Sequence, residues 1–433
     1  MSYEQQILDI LMQNPERSKA DFLHIDELIK EKDLSYKNIL VRTLAVPKIL
    51  SAEAYEIICA FIAQVYRIFD RVIDQYFADP SYRALFGFAP ELEELILASP
   101  RRSCWVPMAR IDFFLNEETN EIKMCEINTD GTSGMSEDLL LGDFLFYNNA
   151  FLEFMQGKTY QRFEYFDSWA EEFLAYYGGE APPRTAIVDF LDVGYVTEFE
   201  RFKETFIRHG METEICDIRA LTYEDGKLKT PNGMAIDAIY RRAVTADIMK
   251  HYNEVQPFIE AARDGAVCLV GSFATQIVHN KRLFYILYHP QTRAILGREE
   301  KAFVTKHFPA TFPLNKETIA AHKVYQEREK WIIKPCDSYG ALGVYAGKSC
   351  NEADWQKRCE EHLADDYVLQ AFNMPYKTPH IDFREAEPKI RDYSNLIGVF
   401  CYNGKPYGAY TRIAGGDIIS TQYDEKTIAT VLV

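Results

Sequence analysis

The segments RIDFFL (110–115) and IKMCEIN (122–128) decide how this sequence is interpreted. Both alternate polar with apolar residues, as strands with one buried face do. The polar stretch NEETNE (116–121) between them is typical of a turn. We therefore predict that these segments form a β-hairpin.

One face of this hairpin carries oxygen-bearing side chains. Residues two apart on a strand share a face, so Asp112 would lie opposite Glu126, and Arg110 opposite Asn128. Paired carboxylates repel each other unless a cation lies between them. Two carboxylates and an amide oxygen suit Mg²⁺, which leaves its other positions to substrate phosphates and water. We expect a magnesium site here, with Arg110 beside it to meet developing phosphate charge.

Two other interpretations of this segment stay open. The acids could simply be solvated on a half-exposed hairpin. The stretch EINTDG (126–131), with Glu137 at the twelfth position, also resembles a calcium-binding loop. However, a glutamate stands first, Ser133 lies where such loops usually carry an apolar residue, and the preceding segment alternates like a strand. These departures favour the hairpin.

A second candidate site begins at Lys334, which ends the predicted strand WIIK (331–334). The loop PCDSYGALG (335–343) and the predicted strand GVYAG (343–347) follow it. Glycines let backbone amides approach an anion closely, and the lysine supplies charge. The loop joins strand to strand and lacks the GxxxxGK[ST] order, so it is not a Walker P-loop. A plain turn is the alternative.

Three further basic positions have both a functional and a structural interpretation. Lys301 lies on a predicted helix, where a solvated surface lysine is the alternative. Arg412 lies on a predicted strand between glycines and needs an anionic partner, for which a phosphoryl group is one candidate. The residues Tyr-Arg-Arg at 240–242 could hold a substrate carboxylate or form a salt-bridge cluster.

Composition limits the class of function. The chain has 433 residues, 47% of them hydrophobic, and a net charge of −17. We predict a globular protein of several packed units that binds neither nucleic acid nor a membrane. Its nine cysteines include no CxxC pair, so no zinc site is expected. We find no signal-peptide pattern and no membrane-spanning run, and we expect a cytoplasmic protein.

Five motifs in order give the sequence a family resemblance. They are RIDF, CEINTDGTSG, HPQTR…EEK, IIKPCDSYGALG and YTRIAGG, spread from about residue 100 to the end. Together they resemble the glutathionylspermidine synthetase-like, circularly permuted ATP-grasp family. The resemblance implies a mixed α/β fold with an ATP-grasp core, a pre-ATP-grasp Rossmann-like lobe and a helical N-terminal segment.

The resemblance also implies four units along the chain. Residues 1–104 would be the helical N-terminal part of the catalytic unit, and 105–182 the metal-binding hairpin with part of the core. Residues 183–284 would form the pre-ATP-grasp-like substrate lobe. Residues 285–433 would form the nucleotide-binding lobe with its lid.

Ligases of this family phosphorylate a carboxylate with ATP, and an amine then attacks the acyl phosphate to give an amide, ADP and phosphate. The resemblance therefore implies ATP and Mg²⁺, a peptide-like or amino-acid carboxylate, and an amine substrate. It fixes neither glutathione nor spermidine, nor an oligomeric state. An ATP-grasp enzyme with another acceptor and a nucleotide-binding protein without turnover are the alternatives.

Site residues carry over from the family by position. The implied Mg²⁺ ligands are Asp112, Glu126 and Asn128, and the implied phosphate-binding lysines are Lys301 and Lys334. The implied lid residues are Gly340 and Gly343, and the hinge beside adenine would include Gln370 and Phe372. The arginines near the γ-phosphate and the acyl phosphate would be Arg110 and Arg412.

Overall fold

The computed structural model describes residues 2–36, 39–192, 196–338, 340–420 and 424–433. Its helices are α1 (Tyr3–Gln13), α2 (Pro15–Glu31), α3 (Ala52–Ala78), α4 (Pro80–Arg83), α5 (Pro90–Ala98), α6 (Met135–Phe144), α7 (Asn149–Phe154), α8 (Phe166–Tyr177), α9 (Val196–Arg208), α10 (Thr245–Lys250), α11 (Gln256–Arg263), α12 (Gln276–His279), α13 (Arg282–Ile286), α14 (Pro290–Ile295), α15 (Arg298–His307), α16 (Lys316–Ala321) and α17 (Glu352–Glu361).

The strands, in chain order, are β1 (Ser35–Tyr36), β2 (Ile39–Leu40), β3 (Lys48–Leu50), β4 (Met108–Asn116), β5 (Glu121–Asn128), β6 (Gln161–Arg162), β7 (Thr185–Asp189), β8 (Thr213–Asp217), β9 (Thr222–Glu224), β10 (Lys227–Lys229), β11 (Ala238–Arg241), β12 (Cys268–Val270), β13 (Thr311–Pro313), β14 (Trp331–Pro335), β15 (Tyr345–Ala346), β16 (Tyr367–Ala371), β17 (Lys377–Ile381), β18 (Ile390–Tyr402), β19 (Lys405–Ala414), β20 (Lys426–Ile428) and β21 (Thr430–Leu432). Helices and strands alternate through much of the chain, so the predicted mixed α/β fold is confirmed.

The first hundred residues are mainly helical, as predicted, and α3 is their longest helix. Ser51 caps α3 by accepting a hydrogen bond from the Ala54 N–H. Apolar residues recur along α3 every three or four positions from Ile58 to Tyr76, and they are buried. This stripe packs α3 against β19 and α15, and so connects the helical segment to the rest of the core.

A parallel sheet forms the middle of the chain, in the order β12–β11–β7–β8. Its central strands are continuous apolar runs, as strands buried on both faces require. The buried face of α9 packs against β8. This sheet lies within residues 183–284, where the resemblance implies a Rossmann-like lobe, and its strand ends point to the cavity described below.

The hairpin lies in an antiparallel sheet with the order β20–β19–β18–β4–β5, and β17 pairs with β18 at its side. The predicted register is confirmed, because Asp112 pairs with Glu126 and Arg110 with Asn128. A slip by one residue would exchange the buried Ile111 for a polar neighbour, so the alternating pattern specifies the register.

A smaller antiparallel sheet carries the glycine-containing loop, in the order β13–β16–β14–β15. The loop joins β14 to its antiparallel partner β15, so the predicted strand-to-strand connection is confirmed. A further sheet, β3–β21–β6, connects the helical segment to the last strand. Within the described ranges, no helix is both long and apolar enough to cross a bilayer.

Candidate active site

A cavity lies between the hairpin face, the loop after β14 and the carboxyl end of the parallel sheet. The residues predicted from the sequence that line it are Arg110, Glu126, Asn128, Lys334, Gly340, Gln370, Phe372 and Arg412. Three other predicted residues, Asp112, Lys301 and Gly343, are described but are not part of this lining. The cavity therefore gathers most of the predicted set from distant parts of the chain.

The hairpin wall is built around Asp112, which is fully buried. Arg110 donates to both Asp112 carboxylate oxygens, from Nε at 2.8 Å and from Nη2 at 3.0 Å. Arg412 Nη2 donates to Oδ2 at 2.6 Å, and Asn128 Nδ2 donates to the same oxygen at 3.1 Å. Both carboxylate oxygens of Asp112, a predicted metal ligand, thus accept hydrogen bonds that hold two arginines in place.

A glycine makes room for this arrangement. Gly398 on β18 pairs directly with Asp112 on β4. A β-carbon at Gly398 would lie 2.6 Å from Asp112 Oδ1 and 2.9 Å from Arg110 Cδ. Any larger residue would therefore displace the ion pair, and no pattern in the sequence marks this position.

The two arginines share one more contact and leave positive charge toward the cavity. Both guanidinium groups lie against the ring of Tyr410, at 5.6 Å from its centroid. Burial alone would lower the pKa of Arg412, but Asp112 and Glu425 outweigh burial and raise it. Arg412 Nε is buried and has no hydrogen-bond partner in the described part of the chain. This wall is suited to receive an anion.

A second wall carries two lysines and faces Glu126, which pairs with Asp112 on the hairpin. Lys281 Nζ lies 2.8 Å from Glu126 Oε1 and also donates to the Ser338 carbonyl at 3.1 Å. Lys334, at the end of β14, is buried and lines the same cavity. Burial alone would raise the pKa of Glu126, but the ammonium groups of Lys281 and Lys334 hold it at about 2. Glu126 is therefore ionised at neutral pH.

The structure places Lys281, and not Lys301, beside Lys334. Lys301 lies half-buried on α15, which packs against β5 and α3. Lys281 lies just before α13 in the segment QIVHNKRLF (276–284), and its side chain is only 7% exposed. Its immediate neighbours Asn280 and Arg282 are polar, so no pattern in the sequence marks Lys281 as buried.

The glycine loop covers this wall. Gly343 has a φ of +72°, and a β-carbon there would lie 2.4 Å from Tyr367 Oη and 3.0 Å from Pro335 Cγ. Gly340 lines the cavity, and its carbonyl accepts a hydrogen bond from Ser420 Oγ at 2.9 Å. Two separate loops therefore meet over the lysines.

The cavity becomes apolar beyond the lysines. Ile332 and Val344 form a small cluster against which Phe372 and Ile418 pack, and all four line the cavity. Gln370 lies beside them, buried, with its amide donating to Thr311 Oγ1 at 3.0 Å. An apolar slot of this kind can hold an aromatic ring system.

The parallel-sheet wall resolves the Tyr-Arg-Arg motif. Arg241 is buried and donates to Asp130 Oδ1 at 2.5 Å, while the Thr245 N–H donates to Asp130 Oδ2 at 2.8 Å. The salt-bridge interpretation therefore describes Arg241, and Arg242 also pairs with Glu198 at 3.3 Å. Arg242 is also buried but lines the cavity. With Asp130 so engaged and 121–128 forming a strand, the hairpin interpretation prevails over a calcium loop.

Comparison with solved structures shows the same fold elsewhere. A glutathione synthetase-like effector from Globodera pallida, in its apoform, superposes with a TM-score of 0.62 over 96% of each chain, at 11% identity. The likeness and the described sheets agree with the predicted ATP-grasp fold class. At this identity the likeness shows the fold alone.

Two more distant structures also align. A putative gamma-glutamylcysteine synthetase from Methylobacillus flagellatus gives a TM-score of 0.43 at 10% identity, over 86% of this chain and 88% of that one. The D-cycloserine synthetase DcsG gives a TM-score of 0.30 at 10% identity, over 57% of this chain and 91% of that one. The chain matches no protein-family model and no curated protein sequence.

Proposed function

We propose that this chain is an ATP-dependent carboxylate–amine ligase of the glutathionylspermidine synthetase-like type, which forms an amide with release of ADP and phosphate. The observation that carries this proposal is the convergence of two lysines and two arginines on one cavity that ends in an apolar slot. Such a set neutralises phosphate charge next to a place for a nucleobase. The fold shared with a glutathione synthetase-like protein supports it.

The nucleotide would lie along the wall of the glycine loop. Adenine would occupy the apolar slot beside Phe372, with Gln370 at its edge. Lys334 and Lys281 would bind the phosphates, since both are buried cations facing the cavity. The loop around Gly340 would cover the phosphates and exclude water. In this proposal Lys281 takes the role that the resemblance assigns to Lys301.

The donor set fits Mg²⁺ when substrate phosphates complete it. Within the described residues, no group of three or more His, Cys, Asp or Glu side chains forms a ready metal centre. Glu126, ionised and lining the cavity beside Asn128, would hold the ion, as one carboxylate and one amide oxygen suffice for a phosphate-bound magnesium. Bound there, Mg²⁺ would offset phosphate charge. Asp112 would position the arginines.

The chain's own residues would then serve phosphoryl transfer. A substrate carboxylate oxygen attacks the γ-phosphorus, the bond to ADP breaks, and an acyl phosphate forms. Arg110 and Arg412 would hold the three charged oxygens of the transferred group, because Asp112 fixes their guanidinium planes toward the cavity. The amine then attacks the acyl carbon, phosphate leaves, and the nitrogen loses its proton.

The test is Mg²⁺-dependent ADP release over a matrix of carboxylates and amines. The carboxylates are amino acids, short peptides and glutathione, and the amines are amino acids, putrescine and spermidine. Mass spectrometry identifies any amide. Lys334→Ala is the active-site variant, and Lys357→Ala, on the exposed face of α17, is the matched control.

ADP release that needs both partners, yields an amide and is lost only in Lys334→Ala supports the proposal. ADP release with phosphorylation of one partner and no amide indicates a kinase instead. Tight binding of Mg·ATP with no release for any pair contradicts the ligase and favours a nucleotide-binding protein.

A further inference from the structure

The carboxyl end of the parallel sheet forms one part of the cavity. Asp189 is the last residue of β7, Arg242 follows β11, and Asp247 lies in the first turn of α10; all three line the cavity. Ligands of parallel α/β sheets bind at the carboxyl ends of the strands. The proposed transfer chemistry uses none of these three side chains.

Two carboxylates here have no cation paired to them. Within the described chain, Asp189 and Asp247 take part in no salt bridge, and Asp189 Oδ1 accepts a hydrogen bond from the N–H of its neighbour Phe190 at 2.8 Å. Burial raises the pKa of Asp189 to about 6, Arg242 acts against burial, and Asp247 adds to it. All three groups line the same cavity, so a positively charged ligand there would stabilise both carboxylates.

Arg242, which lines the same part of the cavity, is buried and has an unused hydrogen-bond donor. Its side chain is 3% exposed, and its Nε has no hydrogen-bond partner among the described residues. Its other nitrogens contact Tyr240 Oη at 2.9 Å, Glu198 at 3.3 Å and the Gly131 carbonyl at 3.4 Å. A buried guanidinium with an unused donor beside a cavity is suited to a carboxylate.

Aromatic rings hold this guanidinium in place. Its central carbon lies 5.4 Å from the ring centroids of Phe199 and Tyr240 and 5.7 Å from that of Phe202. Stacking of this kind restricts the orientation of the plane without using its hydrogen-bond donors. The site is therefore built before a ligand arrives.

We infer that Asp189, Asp247 and Arg242 form a subsite for the amino-acid head group of a substrate, with its ammonium on the two aspartates and its free carboxylate on the arginine. The inference rests on the proposed function and narrows its substrate class. Arg110 and Arg412, which would hold the transferred phosphoryl group, lie on the hairpin sheet and not on the parallel sheet. The head group bound here is therefore not the reacting group. The substrate then carries a second carboxylate or amine at its far end.

Equilibrium binding to the full chain without nucleotide tests the subsite. The probes are two trios: L-glutamate, N-acetyl-L-glutamate and L-glutamate α-amide, and L-lysine with its N-α-acetyl and α-amide forms. Titration calorimetry, supported by saturation-transfer NMR for weak binders, gives the dissociation constants. We expect at least one free amino acid to bind, and both of its masked forms to bind about 10-fold more weakly or worse.

Variants assign the effect to residues. Asp189→Asn keeps shape and removes charge, and we expect it to weaken binding of the free amino acid about 10-fold while binding of its N-acetyl form stays unchanged. Asp192→Asn, three residues further and exposed, is the matched control and should bind as the parent does. Circular dichroism and thermal unfolding verify that each variant is folded.

Three results overturn the inference: no free amino acid binds, the α-amide binds as well as the free form, or Asp189→Asn leaves the N-acetyl discrimination intact. The second result would indicate a site for a simple ammonium group. Binding with the expected discrimination but no ADP release for any pair would sustain the subsite and contradict the ligase. ADP release without this discrimination would do the reverse.

Discussion

Lys48 and Lys281 are both buried and both have carboxylate partners, yet one belongs to the fold and the other to the site. Lys48 is fully buried and bound to Glu4 of α1, at 2.9 Å, and to Glu117 in the hairpin turn. Lys281 is almost as buried and bound to Glu126 at 2.8 Å. The chemistry is the same. What differs is that Lys281 and Glu126 line a cavity, whereas Lys48 and its partners do not.

Access of ligands to a buried ion pair decides how that pair is interpreted. Lys48 and its partners line no part of the cavity, so a ligand bound there cannot replace them. Burial alone would lower the pKa of Lys48, but Glu4 and Glu117 raise it. Burial also lowers the pKa of nearby His380 to about 3, which keeps that ring neutral. Around Lys281 an incoming anion or cation can replace either member. A buried pair is a candidate site when ligands can compete for it.

The largest expected effect is on the enclosed pair. Lys48→Met leaves Glu4 buried without its cation, and we expect the free energy of unfolding to fall by about 3–5 kcal/mol. Urea unfolding measures this, with Lys30→Met, which removes an exposed lysine, as the control. Activity per folded molecule at low temperature should be retained. A stable but inactive Lys48→Met would contradict the purely structural role of Lys48.

Next comes the pair at the cavity. Lys281→Met should lower kcat/KM for ADP release by about 100- to 1,000-fold, since it removes one preorganised charge from the phosphate site. The unfolding free energy should change less than in Lys48→Met, because water in the cavity can solvate Glu126. Lys301→Met is the informative companion, and we expect near-parental kinetics for it. Loss of activity in Lys301→Met with retention in Lys281→Met would restore the role implied by the sequence resemblance.

A third prediction concerns the packing that orients the arginines. Gly398→Ala introduces a methyl group 2.6 Å from Asp112 Oδ1, and we expect it to destabilise the protein by about 1–3 kcal/mol and to lower activity. Thermal unfolding and ADP release measure the two effects. Gly416→Ala, which meets no atom within 4 Å, is the control. An active, fully stable Gly398→Ala would contradict the role of Asp112 in positioning Arg110 and Arg412.

The smallest expected effect tests a buried carboxyl compensated by hydrogen bonds instead of a lysine. Asp138 accepts hydrogen bonds from Tyr165 Oη at 2.8 Å and from the Thr430 N–H at 3.0 Å, and burial raises its pKa from 3.8 to about 7. A raised pKa gives stability that is present below the unfolded value and lost as pH rises through about 7. The parent should therefore lose stability between pH 5 and pH 8.

In Asp138→Asn this part of the pH dependence disappears, so the variant should lose about 1–2 kcal/mol less than the parent across that range. Urea unfolding at a series of pH values measures the difference. Identical pH profiles for variant and parent would show that Asp138 is ionised at neutral pH despite its burial.

Much of the fold could be predicted because its signals are local. The alternation in 110–128 specified the hairpin and its register. The loop after Lys334 was correctly predicted to join two strands. Each of these rests on a period or a turn within about twenty residues.

The site could be predicted only in part because its contacts are distant in sequence. Asp112 and Arg412 are 300 residues apart, so the ion pair that withdraws Asp112 from the cavity has no local pattern. Lys301 had a motif around it, whereas Lys281 stands between the polar residues Asn280 and Arg282 with no pattern that marks it. Gly398 matters because of a neighbouring strand, and nothing in its own segment shows that.

The ion pair between Lys281 and Glu126 has a consequence for the order in which ligands are accepted. ATP alone could draw Lys281 away but would leave Glu126 facing its phosphates, and Mg²⁺ alone would have to compete with an ammonium already in contact with the carboxylate. Only the two together give each partner a replacement. In the proposed ligase we therefore expect positive thermodynamic coupling between metal and nucleotide. Each increases the affinity of the protein for the other, and either one alone binds weakly.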